Sequence, residues 1–126
     1  MNTDILFFFK DRMDAFPMYE KLETVIMEMI PDVTIKVSKT QITFSNKRGF
    51  AFVSFNPCRP AKDRPEIWLT ITFGLSYQKY SPRIDVATEP YPNRWTHHVM
   101  LGSVNEIDGE LLSWIEEAAF FSANKR

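Results

Sequence analysis

The chain predicts an α+β domain of two layers: an antiparallel sheet of four to six strands, with N-terminal helices and a C-terminal helix packed on one face. Three observations lead there. Apolar residues recur at three- and four-residue steps from Met18 to Met29, at every second residue from Val33 onward, and at helical spacing again from Ile107 to Ala119. Helices, then a run of strands, then a helix is the order of an α+β fold rather than of alternating βαβ units. At 126 residues the whole length reads as a single domain with one core.

The elements follow in order. Asn2, Thr3 and Asp4 offer capping oxygens ahead of the apolar run Ile5–Phe9, so a short helix to about residue 12 is expected. Pro17 suits the first turn of a second helix. Met18, Leu22, Val25, Ile26 and Met29 form its apolar stripe, and Glu20, Lys21, Glu23, Thr24 and Glu28 its polar side. Pro31 and Asp32 end it.

Val33, Ile35 and Val37 then alternate with polar residues, but the next apolar pair, Ile42 and Phe44, falls on even numbers. A bulge or turn must lie between Ser38 and Gln41 to keep both sets on one face. Such an irregularity re-aims side chains, which makes Lys39 and Gln41 site candidates. Asn46 to Gly49 reads as a turn. Phe50–Phe55 is apolar on both faces and therefore central. Residues 56–65 form a proline-bearing loop, and Glu66–Phe73 alternates as a strand. Residues 74–82 read as a loop and 83–87 as a short strand with Arg83 and Asp85 outward. Residues 89–93 form a stiff connector into the strand Trp95–Leu101. Ser103 or Asn105 would cap the closing helix. Consecutive strands joined this way predict an antiparallel meander with one face partly open.

Composition narrows the chemistry. A net charge of −1 argues against a nucleic-acid partner, because neutralising phosphates needs a basic excess. The charge is uneven: residues 1–32 carry three basic and seven acidic groups, 33–65 seven and one, and 66–126 five and eight. The basic middle reads as lysine-guarded strand edges or an anion-facing surface. Cys58 is the sole cysteine, so neither an intrachain disulfide nor a cysteine-based zinc site is expected. It sits in a Pro-flanked loop where Arg59 would lower its pKa somewhat. The start lacks a basic leader and no apolar run approaches the ~20 residues of a membrane span, so a soluble cytoplasmic protein without a membrane partner is expected.

Both histidines lie in Trp95-Thr96-His97-His98-Val99-Met100-Leu101. Successive strand side chains point to opposite faces, so His97 shares a face with Trp95, Val99 and Leu101, while His98 points the other way. Two such histidines do not easily ligate one ion, and no HxH or HExxH spacing exists, so no metal and no cofactor is expected. No nucleophile elbow or Gly-rich phosphate loop is present either. The ligand-binding candidates are Trp95, His97, Lys39 and Arg83, with Gln41 and His98 beside them. On one sheet they would line a hollow with an aromatic floor and two cations.

The stretches Val37–Phe44, Phe50–Val53, Arg94–Val99 and Leu111–Ala118, the Trp-Thr-His-His run above all, resemble a bacterial domain-of-unknown-function family, family 5655. Its members occur alone or as the C-terminal part of longer proteins labelled as transport proteins. The resemblance implies a small α/β domain and brings no activity, substrate or cofactor with it. The expected function is a non-enzymatic module binding a small anionic molecule or a peptide, as a monomer or homodimer. One alternative is a homo-oligomeric protein–protein interaction domain using exposed Trp68, Tyr77, Tyr80 and Tyr91. A second is a hydrolase-type enzyme dependent on His97 or His98.

Overall fold

The computed structural model describes residues 3–124, so the cap expected from Asn2 lies outside the described residues. Helix α1 (Thr3–Phe8) stops short of residue 12, where two backbone turns and a 3-10 turn at Met13–Ala15 intervene. Helix α2 (Phe16–Met29) starts with Pro17 in its first turn and buries Met18, Tyr19, Leu22 and Ile26. After the strands, Ser103 caps only a 3-10 turn, Val104–Glu106. The cap of α3 (Gly109–Asn124) is instead Asp108, whose Oδ1 accepts from Leu111 N at 3.0 Å.

Among the described residues six strands form one antiparallel sheet: β1 (Thr34–Val37), β2 (Gln41–Ser45), β3 (Gly49–Ser54), β4 (Leu69–Leu75), β5 (Val86–Tyr91) and β6 (Arg94–Leu101). Their order is β1-β2-β3-β4-β6-β5, so the expected meander breaks after β4. The chain skips one position, forms the edge strand β5, and returns as β6 between β4 and β5. Side-chain chemistry explains the exchange. In β6, Met100 and Leu101 bury both faces, which needs a neighbour on each side, whereas β5 is polar and contains Pro90, which belongs at an edge. Strand β5 also starts three residues later than expected and absorbs most of the presumed connector; Asn93, at φ 64°, makes the tight turn into β6.

The register places Ile42, Phe44, Ala51, Val53, Leu69, Ile71, Phe73, His97, Val99 and Leu101 on one face. The helices cover that face, with α3 lying across β3 and β4. The N-terminal end is a ring cluster in which fully buried Phe9 meets Phe8, Phe16, Tyr19 and Phe55 at centroid distances of 5.1 to 5.6 Å. Burying one such ring stabilises by about 1.5–3 kcal/mol. The cluster anchors the short helix α1, which would not hold in water alone, beside β1.

Candidate functional site

The six residues expected to share one hollow do not meet. Trp95 lies half-buried opposite Leu75 at the end of the helix-covered face. His97 is on the same face but completely sealed, its ring stacked on Phe73 at 4.8 Å. His98 and Gln41 point to the other face, where His98 Nδ1 pairs with Thr72 Oγ1 at 2.9 Å and Gln41 Nε2 donates to Thr43 Oγ1 at 3.3 Å. Arg83 is held by Asp108 and Glu110 at 2.8 and 3.1 Å and donates to the Glu106 carbonyl. Lys39 is exposed at the far end of the sheet. Of the bulge or turn expected between Ser38 and Gln41, the structure has the turn. Ser38 N donates to Gln41 O at 2.9 Å, and Lys39 and Thr40 form the tip between β1 and β2.

His97 is a structural pivot. Its Nε2 accepts from Lys79 N at 2.9 Å, so the ring proton sits on Nδ1, which is buried without a hydrogen-bond partner. Burial pushes the imidazole pKa down and outweighs the nearby Phe73 backbone, which acts the other way. Lys79 also reaches Glu117 at 2.7 Å, and Tyr77 bonds the same carboxylate, so the loop after β4 is tied to both β6 and α3. Burial likewise lowers the pKa of His98.

On the other face, the Cys58 thiol donates to Asp85 Oδ2 at 3.6 Å, and Arg59 Nε contacts both Asp85 oxygens at 3.0 Å. Arg59 is thus spent on Asp85, and burial together with that carboxylate raises the thiol pKa rather than lowering it. Cys58 is an inert thiol fastening a loop. The expected aromatic patch is also dispersed. Trp68 is half-buried against Phe55, with Arg12 and Arg64 over its ring, at the opposite end of β4 from the exposed Tyr77.

A different feature was invisible in the sequence: the outer edge of β1. Antiparallel pairs alternate between bonded and non-bonded positions. Because Ser38 and Gln41 bond, the bonded pairs are Lys36–Thr43 and Thr34–Ser45. The N–H and C=O groups of Ile35 and Val37 therefore point away from β2, and no described residue bonds them. A cleft opens beside each of these side chains. Next to Ile35 lies one of about 500 Å³ lined by Ile5, Phe16, Tyr19, Glu20, Glu23 and Met27. Next to Val37 lies one of about 550 Å³ with Phe7, Phe8, Lys10, Ser38 and Lys39 among its walls. Helix α1 contributes to both. Another cleft, about 410 Å³ beside the exposed Phe120 of α3, borders no strand edge.

Electrostatics distinguish the two clefts. Buried Tyr19 donates to Glu23 Oε1 at 2.8 Å. Burial, then the bond to Glu23 and its charge, push the phenol pKa up, so it remains a donor. Among the described residues neither Glu20 nor Glu23 has an ion pair, and the Ile35 cleft has no cation in its lining.

Among the described residues no cluster of three or more metal-ligating side chains occurs, and no helix is long and apolar enough to cross a membrane. Comparison with family models matches residues 7–121 to one described as a domain of unknown function, DUF5655. No curated protein and no solved structure matches.

Proposed function

Since the chain belongs to the DUF5655 family, whose description names no activity, its role must come from its own side chains, and we propose a peptide-binding module that accepts an extended segment as an added strand on β1. One observation carries this reading: the free N–H and C=O groups of Ile35 and Val37 coincide with clefts beside the same two side chains. Strand addition uses main-chain bonds for affinity and pockets for alternate side chains for selectivity. Each bond nets about 0.5–1.5 kcal/mol and ordering the peptide costs several, so the affinity belongs at about micromolar or weaker.

The small-anion reading has less support, because Arg83 is neutralised by Asp108 and Glu110 and Lys39 stands at the opposite end of the sheet. A hydrolase would have to use Thr72 and His98, which lack a third, orienting partner. A second copy pairing β1 with β1 through the free edges of Ile35 and Val37 would set Lys36 against its own counterpart, and like charges directly opposite destabilise a strand pair.

The test is a screen of six- to eight-residue extended peptides against isotope-labelled protein by NMR, followed through the amides of Ile35 and Val37. Bound peptides should shift those amides. N-methylation of the peptide at every second residue should abolish binding in one phase and spare it in the other. If no peptide moves the β1 amides, or both phases bind alike, strand addition is wrong. Light scattering in parallel separates peptide capture from β1–β1 dimerisation.

A further inference from the structure

We infer that the added strand presents a basic side chain to the Ile35 cleft and an apolar one, two residues away, to the Val37 cleft. This rests on strand addition at β1 and specifies what the strand must carry. Ile35 and Val37 lie two positions apart on one face, so inward side chains of a paired strand match them at a spacing of about 7 Å.

The two clefts differ in what they can satisfy. At Ile35, the apolar walls Ile5, Phe16 and Met27 suit a lysine or arginine stem, and Glu20 and Glu23 stand where its charged head would emerge. Those carboxylates are three residues apart on α2, a spacing at which like charges repel, and no described cation relieves them. Glu23 keeps Oε2 available because Tyr19 bonds only Oε1. At Val37, Lys10 and Lys39 are offset by Asp4 and Asp11, leaving no net charge to recognise, while Phe7 is 67% exposed. An apolar side chain fits there. The residue between the two would lie beside Lys36 on the opposite face.

The experiment compares synthetic peptides that differ only at the residue facing Ile35, carrying Lys, Met or Glu, by fluorescence anisotropy. Lys should bind about tenfold tighter than Met, and Glu weaker than both. The preference should shrink in ~0.5 M salt, because screening acts on a partly exposed pair. In the double variant Glu20→Gln, Glu23→Gln the Lys preference should vanish while Met-peptide affinity persists; Gln at 23 can still accept from Tyr19, and a thermal melt checks the fold. Equal binding of Lys and Met peptides overturns the charge rule but leaves strand addition standing. A Lys preference that survives the double variant overturns the assignment to Glu20 and Glu23. Failure of every peptide removes strand addition itself.

Discussion

The sheet has two edges, and the chain treats them in opposite ways. Strand β5 is blunted: it contains Pro90, and its pairing with β6 slips between Thr88 and Tyr91. These are the devices that stop an edge from recruiting another strand. Strand β1 has none of them, only its short length and Lys36. Helices α1 and α2 wall the clefts on its covered face, so an incoming strand finds pockets beside β1, whereas β5 is mostly exposed. Edges left addressable while a sister edge is blocked mark where pairing is tolerated. This contrast supports strand addition at β1 rather than general stickiness.

The largest effect should come from the support of the β1 side. Phe9→Ala removes the ring at the centre of the α1 cluster and should cost about 3–5 kcal/mol in urea denaturation. Hydrogen exchange should then quicken at β1 before β5, since β1 is the strand that α1 chiefly contacts. Similar acceleration at both edges would mean that α1 stabilises the sheet as a whole.

Next comes the edge itself. Val37→Pro deletes an N–H that faces away from β2, so the β1–β2 ladder should survive. Peptide affinity should fall at least ~tenfold, about 1.4 kcal/mol, in the same titration. Unchanged affinity would remove β1 from consideration.

The pH response should separate the two sides further. Folding lowers the pKa of His97, so the unfolded chain binds its proton first, near its ordinary value of about 6.5. Stability is therefore complete above that pH and is lost as pH falls from about 6.5 towards the folded value, by about 1.4 kcal/mol for each unit separating the two. His98, also lowered, acts in the same direction. Denaturation midpoints across this window should flatten in His97→Gln, whose amide oxygen can still accept from Lys79. Peptide binding should stay nearly constant, because no histidine lines either β1 cleft.

The smallest effect should be at β5. Pro90→Val returns a backbone donor and should produce weak, concentration-dependent association worth about 0.5–1.5 kcal/mol, visible in sedimentation. A strictly monomeric variant would show that the slipped pairing alone suffices to block that edge.

Much of the fold was legible because it follows from periods. Helix α2, helix α3 and the inward sets of β2, β4 and β6 occur where apolar spacing puts them, and Trp95, His97, Val99 and Leu101 do share a face. The errors come from caps, turns and ion pairs, which apolar spacing does not report. Asp108 displaced Ser103 as the cap of α3 because Ser103 was already bonded to Asn105 in its own turn. Arg83 was expected to point outward and was instead drawn to Asp108 and Glu110, some 25 residues away. Between Ser38 and Gln41 the spacing left a bulge or a turn open, because a two-residue hairpin and a bulge shift the apolar parity alike; the structure has the turn.

By itself, the amino-acid order determined which segments coil, which extend and which side of each is apolar, since those properties depend on neighbours within a few residues. Tertiary structure alone decided that β6 lies inside β5, that His97 is sealed while His98 is not, and that β1 ends the sheet with its hydrogen bonds unspent. An edge exists only relative to strands that could have lain beyond it. That relation is settled by competition for burial across the whole sheet.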